Sequence, residues 1–208
     1  MNTTVYLMRH SKTYNEHYGI KDIHEDLLFS NIKTPLSVAG EKMSEKKSLE
    51  NEFQNLDVIW SSSYVRAMST AKYFAHQNNL KVNISDRLGE RKHGVSSWDE
   101  LPIGYEIKQF EDENYKIGTG ESKKETMDRM YSILEEILNT NKGKRILVVS
   151  HATAIAFLLS KWCEVIYNGN YKFNNEIFFD GNWDYLETFK LEFNNENKLI
   201  SIENISRG

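Results

Sequence analysis

The sequence predicts an α/β fold, a three-layer α/β/α sandwich with a largely parallel central sheet and an antiparallel C-terminal hairpin at its edge. Three observations predict it. Nearly continuous apolar runs at Val5-Tyr6-Leu7-Met8, Val58-Ile59-Trp60 and Ile146-Leu147-Val148-Val149 read as strands covered on both faces. Segments with helical spacing follow or precede these runs, the alternation from which parallel sheets are built. The C-terminal residues then switch to strict alternation on either side of a turn.

Taken in order, the first strand runs straight into Arg9-His10. The second leads through Ser61-Ser62-Ser63 into a helix from about Tyr64 to Ala75, with Ser63 as its N-cap and Ala67, Met68, Ala71, Phe74 and Ala75 along one stripe. The 99–120 stretch fits neither period, and residues from about 91 to 121 are expected to form an irregular cap within one domain spanning 1–208. A helix opens at Ser122-Lys123-Lys124-Glu125, a capping box in which hydroxyl and carboxylate each satisfy an orphan backbone donor. Met127, Met130, Tyr131, Leu134, Ile137 and Leu138 continue it at spacings of three and four, and Gly143 lies just past its end. The third strand is followed by Ser150-His151 and another helix. The segments from Leu186 to Phe193 and from Leu199 to Ile205 flank the turn residues Asn194-Asn195-Glu196-Asn197 as a hairpin.

The 208 residues carry 26 Lys and Arg against 30 Asp and Glu, and one cysteine. The net charge of -4 gives no general attraction to nucleic acid or anionic lipid, so neither is expected as a partner. Cys163 has no second cysteine to pair with and reads as a small buried hydrophobe. The most apolar stretch, 146–159, is interrupted by Ser150 and His151 and falls short of the about eighteen residues that span a bilayer. The N-terminus has no basic and apolar leader, and the expected location is cytoplasmic. Glu16, His17, Asp22, His24, Glu25 and Asp26 lack any compact ligand spacing, so no metal is expected. Neither a dinucleotide fingerprint nor a P-loop occurs, and no cofactor is expected. Nothing in the sequence specifies an oligomeric state.

Three predicted strands end in chemically similar residues: Arg9-His10, the serines preceding Arg66, and Ser150-His151. Ligands of open α/β sheets bind beyond the carboxyl ends of the strands. Two imidazoles and two guanidiniums should therefore meet in one crevice, with helix N-termini adding N–H donors and partial positive charge. Only seven of the 26 basic residues are Arg, and the planar guanidinium fork suits a tetrahedral oxyanion better than an ammonium does. Any one of these residues alone would be explained by a surface ion pair or a hydrogen-bonded core histidine. All four at strand ends point to a phosphate-sized anion.

The same residues carry a resemblance to the histidine phosphatase superfamily, the phosphoglycerate-mutase-like group. The matching stretches are Leu7-Met8-Arg9-His10-Ser11-Lys12-Thr13, then Thr34-Pro35-Leu36-Ser37 with Gly40, then Ser61-Ser62-Ser63-Tyr64-Val65-Arg66-Ala67 with Thr70-Ala71. Leu88-Gly89-Glu90-Arg91 with Gly94, and Val148-Val149-Ser150-His151, complete the set, which spans about 9 to 160 in the family's order. The resemblance implies that His10 is the nucleophile, that Arg9, Arg66 and a protonated His151 hold the phosphoryl group, and that Glu90 is the proton donor. It makes Arg91 a substrate contact, and it puts Thr13, Asn15 and Ala152 in the phosphate pocket. The sequence departs from the family in having Ser11 and Ala152 where glycine usually follows each histidine; a positive φ at either would cost about 1–2 kcal/mol. The family's usual asparagine also falls at Glu16, one place after Asn15.

The activity implied is hydrolysis of small phosphomonoesters through a phosphohistidine, without metal. Beyond Glu90, the aromatics Trp98, Tyr105, Phe110 and Tyr115 are interleaved with carboxylates; they either pack on the core or form a lid over an apolar leaving group. The alternatives are a mutase-type phosphotransferase, for which the C-terminal hairpin offers little closing tail, and a binding module without turnover.

Overall fold

The computed structural model describes residues 1–14 and 27–206. Its main sheet combines β1 (Thr3–Arg9), β2 (Val58–Ser62), β3 (Val82–Ser85), β4 (Arg145–Ser150), β8 (Thr188–Phe193) and β9 (Leu199–Asn204), in the order β3-β2-β4-β1-β8-β9. The first four are mutually parallel, whereas β8 runs antiparallel to β1 and β9 antiparallel to β8. This is the predicted parallel sheet with its antiparallel hairpin edge.

Period-two burial on both faces makes the third layer necessary. Val5 and Leu7 of β1, with Ile146 and Val148 of β4, pack on one side with α5 (Lys123–Thr140) and α6 (Ala152–Leu159). Tyr6 and Met8, with Leu147 and Val149, pack on the other with α3 (Val65–Asn78) and Phe53. Truncating Phe74 of α3, whose ring meets Phe53 edge-on at 5.2 Å, would leave a hole of the kind that costs about 3–5 kcal/mol.

Helix boundaries follow local chemistry. Ser122 caps α5 with the full reciprocal box to Glu125. The fully buried residues of α5 are Thr126, Met130, Ile133, Leu134, Ile137 and Leu138, so Thr126 and Ile133 replace the expected Met127 and Tyr131, which are only partly covered. At α3 the N-cap is Tyr64 rather than Ser63. The serine serving that turn is Ser62, whose hydroxyl accepts from the Tyr64 N–H at 3.2 Å.

Several elements go beyond the sequence reading. The helices α1 (Leu27–Lys33) and α2 (Val38–Ser48) precede β2, and α4 (Tyr105–Glu111) lies within the 99–120 stretch expected to be irregular. There Gly104 takes a positive φ of 78° as the cap, and Tyr105 and Gln109, four residues apart, are the buried positions. Between α6 and β8 stands a small antiparallel sheet of β5 (Glu164–Val165), β6 (Tyr171–Phe173) and β7 (Glu176–Phe179). Among the described residues, no helix is long and apolar enough to cross a membrane.

Candidate active site

Strand register sets the central pair. Arg9 of β1 stands opposite Ser150 of β4, and adjacent strands lie about 4.8 Å apart. The next residue on each strand is a histidine, so His10 and His151 emerge side by side, with ring centroids 5.2 Å apart. The His10 N–H donates to the Ser150 carbonyl at 2.9 Å, which fixes the exit of the chain from β1. On the other flank of β4, Ser61 pairs with Val149, and this brings the Ser62 hydroxyl to 2.9 Å from His151 Nε2.

The His10 ring is held at both nitrogens. Nδ1 lies 2.7 Å from the Ser11 carbonyl, an acceptor only, so Nδ1 carries the proton. Nε2 is then the lone-pair nitrogen, and it accepts from Arg66 Nε at 3.0 Å. Burial holds the His10 pKa well below 6.5, and the Arg66 and Arg9 charges push it the same way. His151 is also held well below 6.5, by complete burial first and then by Arg66. The protonated His151 expected from the sequence therefore needs an anion beside it, because burial strips solvent from its charged form while the nearby arginines repel it.

Both guanidiniums are oriented by backbone carbonyls, which aim the fork without cancelling its charge. Arg9 Nη1 donates to the carbonyls of Trp183 at 3.1 Å and Asp184 at 3.3 Å, with its guanidinium 5.0 Å from the centre of the Tyr185 ring. Arg66, buried in the first turn of α3, donates through Nη1 to the Asn31 carbonyl. Its pKa falls to about 10 through burial and it remains cationic at neutral pH. The Tyr64 ring lies between the two groups, 4.7 Å from His151 and 5.1 Å from the Arg66 guanidinium carbon.

Glu90 reaches the same place from the loop after β3. Its Oε1 accepts from the Arg91 N–H and the Ala154 N–H, both at 2.9 Å, and its Oε2 from the Thr153 N–H at 3.4 Å. The carboxyl group therefore sits on the first turn of α6, positioned by three backbone N–H donors. Arg9, Arg66, Glu90, Arg91 and Ala152 all line one cavity of about 390 Å³.

Other predicted residues divide. Arg91 is buried, pairs with Glu106 at 3.6 Å and lies over the Tyr105 ring. Thr13 bridges to Leu36 and does not line that cavity. Asn15 lies outside the described residues, as do Glu16, His17, Asp22, His24, Glu25 and Asp26. Among the described residues, no group of three or more His, Cys, Asp and Glu could hold a metal ion. Neither Ser11 nor Ala152 adopts a positive φ, so the strain weighed for those positions does not arise. Ser11 instead donates its hydroxyl to the Gly40 carbonyl at 2.8 Å and its N–H to the Thr70 hydroxyl at 3.0 Å. Glycine is required at position 40, where a Cβ would stand 2.0 Å from the Lys12 carbonyl oxygen in the loop following His10.

The aromatic residues after Glu90 follow both readings at once. Tyr105 is fully buried and Phe110 packs on Phe157 at 5.0 Å, whereas Trp98 is half-exposed against His93. Trp98, Glu106 and Phe110 join His93 and Trp183 in lining the cavity. Sequence reasoning missed Tyr64, Asn31 and the Trp183 region as site residues, whereas His93 belongs to the segment after Glu90 expected on the leaving-group side. Tyr64, lying between Ser62 and Arg66, stood within a motif that could have flagged it.

Comparison with known proteins identifies the family. The model for the histidine phosphatase superfamily, branch 1, matches residues 5–177. Phosphoserine phosphatase 1 of Hydrogenobacter thermophilus is 32% identical over 123 residues, 56% of this chain and 58% of its own length. A protein named Probable phosphoglycerate mutase GpmB, from Yersinia enterocolitica, is 29% identical over 164 residues, 75% of this chain and 73% of its own. Among solved structures, the native mycobacterial glucosyl-3-phosphoglycerate phosphatase superposes with a TM-score of 0.70 at 18% identity, covering 99% of this chain and 98% of the other. That last likeness concerns the fold.

Proposed function

The chain belongs to the histidine phosphatase superfamily, branch 1, and from that premise we propose that it hydrolyses small phosphomonoesters through a covalent phosphohistidine on His10. One observation carries this reading: an imidazole whose Nδ1 proton is bound to a backbone carbonyl, leaving the Nε2 lone pair toward a buried guanidinium. Such a nitrogen is neutral and oriented, and its lone pair becomes available to phosphorus once Arg66, which lines the cavity, turns its N–H to a phosphoryl oxygen.

In the first half-reaction Nε2 attacks phosphorus, the P–O bond to the leaving group breaks, and Glu90 gives its proton to the departing oxygen. In the second, water attacks the phosphohistidine, Glu90 takes the water proton, the P–N bond breaks and inorganic phosphate forms. Arg9 and Arg66 face the charge spread over the equatorial oxygens, so most of the catalysis is electrostatic placement. His151 joins them by taking up a proton as the phosphoryl dianion arrives, since an adjacent anion offsets the burial that keeps it neutral. Glu90 Oε1 is fixed by two short bonds and Oε2 by one long one, which leaves Oε2 for proton exchange. Arg91, Trp98, Glu106 and Phe110 would face the leaving group.

The first test is an assay with 4-nitrophenyl phosphate, with and without EDTA. We expect release of inorganic phosphate at a rate unchanged within about twofold by the chelator, because the charge stabilisation comes from arginine and imidazole rather than a cation. Loss of the rate in EDTA and its return with a divalent cation would contradict metal independence. Absence of turnover from folded protein that still binds phosphate would favour the binding-module reading. The mutase alternative predicts exchange of phosphate between phosphoglycerate positions in preference to its release.

Glu90→Gln should reveal the proton donor. An alkyl phosphate, with a strongly basic leaving oxygen, should lose about 10²–10⁴-fold, while an aryl phosphate with a stable phenolate should lose far less. Equal losses along a series of leaving groups would mean that another group donates the proton.

A further inference from the structure

We infer that Arg129 and Glu121 form a positioning unit for Glu90, fixing where its carboxyl group stands relative to the leaving oxygen; this rests on the reading of Glu90 as the proton donor. Arg129 lies on α5. A guanidinium has five N–H groups, and this one makes five hydrogen bonds to one loop and one carboxylate. Nη1 donates to the carbonyls of Arg87 at 2.9 Å and Gly89 at 3.0 Å, and Nη2 to the carbonyl of Glu90 itself at 3.0 Å. Nε and Nη2 grip the two oxygens of Glu121 at 2.7 and 2.8 Å.

Glu121 closes the arrangement from the other side of Glu90. Its Oε2 accepts from the Lys92 N–H at 3.0 Å, and its own N–H donates to the Lys92 carbonyl at 2.8 Å. The backbone on both flanks of Glu90 is therefore tied to one ion pair. The Glu90 side chain is held independently at its tip by the first turn of α6. With main chain and carboxylate both anchored, the carboxyl position depends on how α5 and α6 are set relative to each other, and the capping box at Ser122 fixes the start of α5.

Stability alone is a weak reason for such a pair. Both side chains are largely buried, at 18% and 14% exposure, and apolar replacements often match buried ion pairs in stability. Three of the five donors, moreover, go to carbonyls of the segment bearing Glu90. Proton transfer is sensitive to this placement, and a displacement of about 1 Å can cost about 10²-fold.

The experiment measures kcat/KM of Arg129→Gln, Arg129→Lys and Glu121→Gln on glycerol 2-phosphate and on 4-nitrophenyl phosphate, alone and combined with Glu90→Gln. Arg129→Gln should lose about 10²-fold on the alkyl ester and within about threefold on the aryl ester, which scarcely needs the donor. Lysine should not rescue, because an ammonium cannot span carbonyls and carboxylate as the planar fork does. In the Glu90→Gln background, Arg129→Gln should add nothing on the alkyl ester. Should Arg129→Gln fail to fold, Glu121→Gln, which keeps an oxygen and an amide of the same shape, must show the same split. Equal losses on both esters, or losses that multiply with Glu90→Gln, would overturn the inference. A split for Glu90→Gln without one for these variants removes the positioning role alone. No split for Glu90→Gln removes the donor assignment and the positioning role together.

Discussion

His10→Ala is expected to abolish turnover, with kcat falling at least about 10⁴-fold to whatever background the charged pocket alone provides. The substitution deletes the atom proposed to bond to phosphorus, and His151 is not placed to take over. His151 Nε2 is 2.9 Å from the Ser62 hydroxyl, and its Nδ1 is buried. Folding should survive. Arg66, whose Nε loses its acceptor, is itself one of the residues lining the cavity, and His10 sits at a strand end rather than in either apolar cluster. Steady-state kinetics, a thermal melt and acid-labile phosphate trapped by rapid quench would together check this. Activity within tenfold of wild type, or phosphate still trapped on the alanine variant, would remove His10 from its role.

Arg66→Met should lower kcat/KM by about 10³-fold or more, the scale seen when a cationic donor to a transferring phosphoryl group is removed. It should also move the pH profile, and the sign follows from what holds His10 neutral. Burial depresses the His10 pKa and Arg66 depresses it further. In the wild type, protonation of the nucleophile therefore begins below 6.5, and activity persists into mildly acid solution. With methionine at 66 the repulsion and the hydrogen bond to Nε2 both disappear. The pKa rises toward the ordinary histidine value, and the acid limb of kcat/KM moves to higher pH. A profile that falls in rate without shifting would show that Arg66 contacts the phosphoryl group without tuning the imidazole.

How much of this was legible in sequence depended on whether an element buries a periodic apolar face. The strands β1, β2 and β4 announce themselves because they are covered on both sides, and α5 because its stripe follows a capping box. The helix α2 does not, since its buried positions are Gly40, Ser44 and Ser48, small residues that let it approach the loop after His10 and leave no hydrophobic signal. The strands β5, β6 and β7 have two to four residues each and are broken by Asn168, Asn174 and Asn175 at positive φ, so no alternation develops. Arg9, His10, Arg66, Glu90 and His151 could be named because they stand at strand ends or in recognisable motifs. That the histidines are neighbours depends on the Arg9–Ser150 register, a long-range pairing that local pattern does not encode. Arg129 was invisible for a different reason: a single arginine amid the charged residues of a helix looks solvated until the carbonyls it reaches are known.

Because β8 runs against β1, its entry turn rather than its far end arrives at the rim of the sheet where the two histidines stand. Arg9 thus rests on the carbonyl of a residue 174 positions later. As the ribosome extends the chain, β1, β2 and β4 can assemble their parallel core while that guanidinium still lacks its support. Competence is therefore a late event in biosynthesis, reached only after the polypeptide beyond Trp183 has emerged and doubled back, so nascent intermediates would be compact yet inert.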